Sequence, residues 1–213
     1  MTLAEFDRTV QTAAPDLLLV GIDEAGRGPL AGPVTAAACY IPTDLYGNEI
    51  ISQINDSKKL APAKRQKLYN ALIKLPITYC LGFAACEEID KINILQATFI
   101  AMRRALAKFD GQNIFALVDG NREIPDIKHK QKTVIGGDAL SLSIAAASIL
   151  AKVSRDNYME IINKIFPQYG FCGHKGYGTK QHIEAVKTHG PCAEHRKTFE
   201  PISSICGGLF YNK

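Results

Sequence analysis

Four carboxylates each follow a short apolar run of the sequence. Asp23 and Glu24 end one run, Asp119 ends a second, and Asp138 comes after a third. Short runs rich in Leu, Val and Ile predict buried strands, and functional groups of open α/β sheets gather at the carboxyl ends of strands. We therefore expect the four side chains to share one site.

Acidic side chains that converge in this way repel one another, and bound divalent cations would remove the repulsion. Oxygen ligands alone suit Mg²⁺ or Mn²⁺. Two such ions support in-line attack of water on a phosphodiester, one by activating the water and the other by stabilising the leaving oxygen. The alternative is that the acids lie in solvated turns, since the Asp-Gly-Asn sequence that begins at Asp119 is common in turns. The residues by themselves leave both interpretations open.

Asp23 and Glu24 are adjacent, which sets a geometric condition on a shared site. Neighbours on a regular strand point to opposite faces, so both side chains can reach one site only if the strand ends there. Gly26 and Gly28 follow directly and could supply that ending.

The segment Gly26–Gly32 invites comparison with a dinucleotide-binding loop. Its third glycine, Gly32, comes one place too late for G-x-G-x-x-G, and Pro29 removes a backbone donor. We instead expect close approach of the backbone to a ligand beside the acids, with Arg27 adding charge for a phosphate. A turn with a surface arginine is the alternative.

The pattern of apolar residues predicts the elements that must position these groups. Strands come first and then alternate with helices, which predicts a mixed α/β sheet covered by helices. Asn93 is expected to cap the second helix. The predicted strands are Leu17–Ile22, Val34–Ile41, Ile77–Cys86, Ile114–Val118 and Lys132–Ile135, and the predicted helices are Pro62–Leu75, Ile94–Phe109, Ser141–Phe166 and one from about Thr179 to Thr188, followed by irregular chain.

The composition bounds the class of protein. The chain has 213 residues, of which 46% are hydrophobic and 22% charged, as expected for one globular domain of generous size or one domain with a small appendage. A net charge of +4 permits an anionic partner without demanding one. Six cysteines without a Cys-x-x-Cys pair indicate free thiols in a reducing cytosol. The sequence has no signal peptide and no apolar run long enough to span a bilayer, so we expect a cytoplasmic protein.

The C-terminal part is rich in histidine and could suggest a zinc site. The spacings fit no usual zinc pattern, and a basic surface that contacts phosphate is the preferred interpretation. Residues Cys206–Lys213 form a tail that could dock on a partner or on its own domain. The zinc alternative would use His174, His182, His189, His195, Cys172 and Cys192, and the basic surface would use Lys175, Lys180, Arg196 and Lys197.

Several longer motifs, in a fixed order along most of the chain, resemble the ribonuclease HII family. The first and fourth are long enough that chance is not a serious competitor. They are Gly21–Val34, Asp56–Leu60, Asp119–Asn121, Gly137–Asp138 with Ile144–Asp156, His174–Thr179, and finally His195 and Arg196 with Phe199 and Pro201.

The resemblance implies a ribonuclease H-like mixed five-stranded sheet flanked by helices, with a small helical C-terminal part. Residues 1–166 would be the catalytic domain and residues 167–213 a substrate-binding extension of it. The implied activity is hydrolysis of the RNA strand of RNA–DNA hybrids and incision on the 5′ side of single ribonucleotides embedded in duplex DNA. Two Mg²⁺ or Mn²⁺ ions would take part, and the products would carry 3′-hydroxyl and 5′-phosphate ends. The expected partners are these nucleic acids, not a membrane, and the expected state is a monomer.

The resemblance also implies a role for each matching residue. Asp23, Glu24, Asp119 and Asp138 would hold the metals. The backbone of Gly26, Arg27 and Gly28 would read the 2′-hydroxyl, Tyr177 would stack on the sugar of the next deoxynucleotide, and Lys58 would contact a phosphate. A lysine often precedes the Gly-Asp of the fourth motif, and here the residue is Gly136, so one charge contact with the substrate could be missing.

Two other functions remain open from the sequence. A transposase-like or resolvase-like enzyme of the same fold would also use an acid cluster, but it would cut DNA without needing a 2′-hydroxyl. A hybrid-binding module without chemistry would keep its affinity after Asp119→Asn. The presence of all four carboxylates argues against that second alternative.

Overall fold

The computed structural model describes residues 1–54 and 60–211, and for residues 208–211 it describes the helix without the side chains. Within these ranges the chain forms a five-stranded sheet with helices on both faces. The strands are β1 Leu18–Ala25, β2 Val34–Tyr40, β3 Thr78–Ala84, β4 Ile114–Asp119 and β5 Lys130–Val134. The helices are α1 Leu3–Ala13, α2 Pro62–Leu72, α3 Cys86–Leu106, α4 Leu142–Ile165, α5 Phe171–His174, α6 Lys180–His189 and α7 Ile202–Tyr211.

The sheet is mixed, and β1 lies at its centre. The strand order is β3-β2-β1-β4-β5. β1 pairs antiparallel with β2 and parallel with β4, and β5 continues the parallel half. Because β1 and β4 run in the same direction, the acids near their carboxyl ends lie at the same edge of the sheet. The predicted mixed five-stranded sheet is thus confirmed.

Apolar clusters cover both faces of the sheet. On one face, β1, β2 and β4 pack against α3 through a cluster that includes Ile22, Val118, Phe99 and Met102. On the other face, α4 lies against β1 and β2. It lies so close that a Cβ at Gly21 would collide with the backbone of α4 at Ser143. Gly21 therefore sets the distance between the central strand and the helix that carries several site residues.

The C-terminal part packs on the far end of α4 and on the glycine-rich segment after β1. Their shared apolar cluster joins Leu30, Met159, Phe171, Val186 and Ile202. The extension is therefore joined to the sheet domain through a common core. No helix within residues 1–54 and 60–211 is long and apolar enough to cross a membrane.

The elements differ from the sequence prediction mainly at their ends. β3 ends at Ala84, and α3 already begins at Cys86. Asn93 interrupts α3 with φ 67°, and its Oδ1 accepts hydrogen bonds from the next turn, so the predicted cap is present inside a longer element. The prediction of irregular chain after Thr188 is wrong for residues 202–211, which form helix α7.

Helix α1 was not predicted, although it carries a helix-start signature. Thr2 and Glu5 form a capping box. The helix buries Asp7 completely, and its carboxylate accepts hydrogen bonds from the Ser141 hydroxyl at 2.6 Å and the Ser143 amide at 2.8 Å. Burial raises the pKa of Asp7 above its ordinary value. Asp7 thereby joins the N-terminal helix to the first turn of α4.

We expect Asp7→Ala to lower the free energy of unfolding by about 2 kcal/mol, because it leaves two buried donors at the start of α4 unsatisfied. Asp16→Ala, which removes an exposed acid, should change it by less than about 0.5 kcal/mol. Urea unfolding at neutral pH measures both values. Equal changes in the two variants would show that Asp7 does not support α4.

Candidate active site

Most of the residues predicted for the site line one open cavity of about 330 Å³ at the carboxyl ends of β1 and β4. Three of the four predicted carboxylates, the glycine-rich segment and the aromatic residue of the C-terminal part all reach it. Its lining comprises Asp23, Glu24, Ala25, Gly26, Arg27, Gly28, Arg65, Asp119, Ser148, Lys152 and Tyr177.

The condition set for Asp23 and Glu24 is met. The strand ends directly after these residues, because β1 stops at Ala25 and Gly26 follows, although the pairing with β2 continues past both acids to Ala25. On the other side, the pairing with β4 stops at Ile22 and Val118. Since the pairing ends earlier on that side, the edge beside β4 is open where Asp119 follows. Both adjacent acids can therefore line the same cavity.

Asp23 is the most buried acid of the cavity, with 4% of its surface exposed. Burial raises the pKa of Asp23 well above its ordinary value of 3.8, and the charges of Glu24 and Asp119 raise it further. A hydrogen bond from Ser148 on α4 opposes this effect. The arrangement therefore concentrates negative charge where solvent screens it poorly.

Asp119 is held by the turn that follows β5. The Gly137 amide donates to Asp119 Oδ1 at 2.7 Å, and a Cβ at Gly137 would press on Ile144 and on that carboxylate. Asp138 is buried beside this turn, but among the described residues it is not one of those that line the cavity. The structure thus brings Asp23, Glu24 and Asp119 together in one cavity, and it buries Asp138 without making it one of the lining residues.

The donor set is suited to a hard divalent cation. Asp23, Glu24 and Asp119 offer only oxygen ligands, and their mutual repulsion is of the kind that a bound cation relieves. Within residues 1–54 and 60–211, no three His, Cys, Asp or Glu side chains are arranged as ligands of one ion. Mg²⁺ commonly binds through one or two carboxylates together with water and substrate phosphates, which agrees with this open arrangement.

Two fully buried arginines hold the glycine-rich segment from behind. Arg155 on α4 donates to the carbonyls of Pro33 at 3.1 Å and Ala31 at 3.0 Å. Arg196 donates to the carbonyls of Gly26, Arg27 at 2.8 Å and Gly32 at 2.8 Å. These hydrogen bonds fix the backbone that faces the cavity. The carbonyl groups that accept these hydrogen bonds belong to Gly26, Arg27, Ala31, Gly32 and Pro33.

Arg27 itself is half exposed, and its guanidinium lies 3.3 Å from the Glu24 carboxylate. The segment that carries Tyr177 is joined to the same backbone, because the Leu30 amide donates to the Gly176 carbonyl at 2.8 Å. Tyr177 is 45% exposed, and the Lys152 ammonium lies 5.8 Å from the centre of its ring. We call Gly26–Gly28 the reader segment, after the role predicted for it. The glycine-rich backbone that contains this segment and the loop that carries Tyr177 are therefore joined by hydrogen bonds.

Several site residues were missed or assigned differently from the sequence. Lys152 does pair with Asp156 at 2.9 Å, as the spacing suggested, but it also lines the cavity. Ser148 lies four residues before it, so helical spacing could have placed both on one face. Arg196 was predicted to be a surface contact for phosphate, and this is wrong because it is fully buried. Lys58 lies outside the described residues.

The fold and the position of the acids define the class of protein. A mixed five-stranded sheet with acids at the ends of neighbouring parallel strands β1 and β4 is a ribonuclease H-like α/β architecture. Solved structures agree: ribonuclease H2 from Pyrococcus horikoshii OT3 superimposes with a TM-score of 0.72 at 25% identity, covering 92% of this chain and 100% of that one. Bst ribonuclease HIII, crystallised with Mn²⁺, gives a TM-score of 0.72 at 16% identity over 92% of this chain and 71% of its own, which supports the fold alone.

The chain belongs to the ribonuclease HII family. The family model described as Ribonuclease HII matches residues 20–201. A ribonuclease HII of Endomicrobium trichonymphae is 51% identical over 187 residues, which cover 88% of this chain and 87% of that protein. The chain is thus a ribonuclease H enzyme, an endonuclease that acts on the RNA of RNA–DNA hybrids, and the resemblance stated from its motifs is confirmed.

The raised pKa of Asp23 predicts how the free energy of unfolding of the protein depends on pH when a chelator keeps the site free of metal. A carboxyl whose pKa is higher in the folded state destabilises the fold as pH rises through the interval from 3.8 to that raised value. We expect Asp23→Asn to remove this loss and to raise the free energy of unfolding at neutral pH by about 1 kcal/mol or more. Urea unfolding across this pH range measures it. Asp110→Asn, at an exposed acid, is the control, and an equal gain there would contradict the prediction.

The two glycines of the reader segment should respond differently to alanine. Gly26 has φ 96°, and a Cβ there would collide with the Arg155 guanidinium. Gly28 is exposed, and the nearest atom to its Cβ would be Tyr177 Cε1 at 3.9 Å. We expect Gly26→Ala to cost about 2 kcal/mol of stability, and Gly28→Ala less than about 0.5 kcal/mol. Thermal unfolding compares them, and similar melting temperatures would argue against a fixed backbone at Gly26.

Proposed function

We propose that this ribonuclease H incises duplex DNA on the 5′ side of single embedded ribonucleotides, as well as cutting longer RNA–DNA hybrids. The observation that carries the proposal is the shared cavity. Its acids, the backbone of Gly26–Gly28 and the ring of Tyr177 lie around one opening. A site that only cut hybrids would need the acids, whereas a site that selects a junction needs groups that distinguish the two sugars on either side.

The reader groups have the chemistry for such a selection. A 2′-hydroxyl both donates and accepts hydrogen bonds, so a fixed backbone can recognise it. Gly26 and Gly28 let that backbone approach the ribose closely. The ring of Tyr177 would lie on the sugar of the next nucleotide, where an additional 2′-hydroxyl would obstruct the contact. The pair would therefore favour a ribonucleotide followed by a deoxyribonucleotide.

The carboxylates would supply the hydrolytic part of the site. Asp23, Glu24, Asp119 and Asp138 would hold two Mg²⁺ or Mn²⁺ ions. When bound, these ions would promote attack of water on the phosphodiester and stabilise the departing oxygen. In-line attack on the phosphodiester 5′ of the ribonucleotide leaves a 3′-hydroxyl and a 5′-phosphate. Bst ribonuclease HIII, a protein of the same fold, was crystallised in complex with Mn²⁺.

Basic groups of the cavity would bind the substrate backbone. Lys152 and Arg65 line the cavity, and both lie near Asp156, at 2.9 Å and 3.9 Å respectively. Asp156 would hold them ready for a phosphate beside Tyr177. Lys58 would add a further phosphate contact. Because such contacts release counterions, binding should weaken as salt increases.

The test uses a DNA duplex with one embedded ribonucleotide, with Mg²⁺ and separately with Mn²⁺. We expect incision only on the 5′ side of the ribonucleotide, loss of at least about 10²-fold in kcat in Asp23→Asn, and ordinary activity in Asp110→Asn. An all-DNA duplex should remain intact.

Other outcomes would assign another function. Cutting of the all-DNA duplex would favour a transposase-like or resolvase-like activity. Cutting of a long hybrid but not of the single ribonucleotide would remove the junction role of Gly26–Gly28 and Tyr177. Binding without turnover under either metal would favour a hybrid-binding module.

A further inference from the structure

A chain of hydrogen bonds through two histidines ends at the backbone of Tyr177. The Cys192 amide lies 3.0 Å from His195 Nδ1, His195 Nε2 lies 3.0 Å from His182 Nε2, and His182 Nδ1 lies 2.9 Å from the Tyr177 carbonyl. His182 belongs to α6, and His195 follows it in the C-terminal part. The chain therefore joins the interior of the C-terminal part to the residue proposed to stack on the substrate.

The two end groups of this hydrogen-bond chain, the Cys192 amide and the Tyr177 carbonyl, allow only one direction of donation along it. A backbone amide can only donate, so His195 Nδ1 accepts and a neutral His195 carries its proton on Nε2. That proton is donated to His182 Nε2, so a neutral His182 carries its own proton on Nδ1. The Tyr177 carbonyl can only accept, and it receives that last hydrogen bond. Each geometric partner in the chain is thus satisfied by one pair of tautomers.

The surroundings favour the neutral form of both rings. His182 is completely buried and His195 is 1% exposed. Burial lowers the pKa of His195 to about 4 and lowers that of His182 below its ordinary value. The ring of His174 stacks on that of His182 with centroids 4.4 Å apart, and the Cys192 thiol lies 3.2 Å from His195 Nδ1. Within the described residues this cluster does not form a metal-ligand group.

The backbone on either side of Tyr177 is fixed by further hydrogen bonds, which makes the histidine contact a matter of orientation. The Tyr177 amide donates to the His174 carbonyl at 2.9 Å, and the Thr179 amide donates to the Tyr177 carbonyl at 2.8 Å. Gly176 and Gly178 flank the tyrosine and would by themselves allow many backbone conformations. His182 supplies a second donor to the Tyr177 carbonyl. This second hydrogen bond restricts the orientation of the peptide group and, through it, the orientation of the Tyr177 side chain.

We propose that His182 and His195 are positioning residues whose one-way hydrogen-bond chain sets the orientation of Tyr177, and through it the preference for an RNA-to-DNA junction. This inference rests on the stacking role of Tyr177 in the proposed function. It assigns the buried histidines a part in substrate selection and not in hydrolysis, since they lie behind the tyrosine and not among the lining residues of the cavity.

The first test measures the chain without any substrate. Long-range ¹H–¹⁵N NMR of the imidazole groups at neutral pH should show His195 protonated at Nε2 and His182 protonated at Nδ1. The reverse tautomers, or a doubly protonated ring, would overturn the proposed direction. This result does not depend on activity, so it separates the geometry of the chain from the function of the site.

The second test compares two substitutions of nearly equal size at His182. The amide nitrogen of asparagine can take the place of Nδ1, so His182→Asn can still donate to the Tyr177 carbonyl. Glutamine places its amide nearer to Nε2, so His182→Gln loses that donor. We expect His182→Gln to lower kcat/KM for the single ribonucleotide relative to a long hybrid by about tenfold, mainly through KM, and His182→Asn to stay within about threefold of the wild type.

His189→Gln is the matched control, because His189 is on the same helix but exposed. It should leave the preference unchanged. Equal losses in His182→Asn and His182→Gln, with a wild type that prefers the junction, would show a merely structural histidine and overturn the inference. A wild type without that preference would overturn the proposed role of Tyr177 itself, which the wild-type measurement alone reveals.

Discussion

The active site depends on two guanidinium groups buried behind it. Burying a charge without hydrogen-bond partners costs several kcal/mol, and Arg155 and Arg196 offset that cost by donating to main-chain carbonyls of the segment after β1. Burial lowers the pKa of Arg196 to about 10, which still leaves it charged at neutral pH. Because each buried guanidinium donates to several carbonyl groups at once, the glycine-rich backbone is held in one conformation. The reader segment thus owes its shape to residues far from it in sequence.

The acids are placed by a different constraint, the one-sided end of a strand ladder. The pairing of β1 with β2 continues to Ala25 while its pairing with β4 stops at Ile22, so Asp23, Glu24 and Asp119 can line the same opening. Their repulsion destabilises the folded protein and is relieved only by protons or by cations. The same arrangement therefore explains why the fold tolerates an unfavourable cluster and why the cluster suits a metal-dependent hydrolysis.

Helix α4 connects these two constraints with the C-terminal part. Ser148 contacts Asp23, Lys152 lines the cavity, Arg155 holds the glycine-rich segment, and Met159 packs in the cluster of the C-terminal part. Asp7 holds the other end of the helix at Ser141. One rigid helix thus fixes the distance between acids, reader segment and Tyr177, and the tyrosine is oriented further by the buried histidines.

The sequence by itself predicted the strands, the mixed α/β class of the sheet, and the acids and glycines of the candidate site, because apolar runs and local turn chemistry are encoded within a few residues. Through the resemblance of its motifs, it also placed Tyr177 and Lys58 in one predicted site with the four acids and Gly26–Gly28. The tertiary structure alone decided that β1 stays paired with β2 through its acids while its pairing with β4 stops, that Asp138 does not line the cavity, and that Arg196 is buried. These features depend on which distant elements pack together, and a surface arginine and a buried one look alike in sequence until a backbone is there to accept its hydrogen bonds.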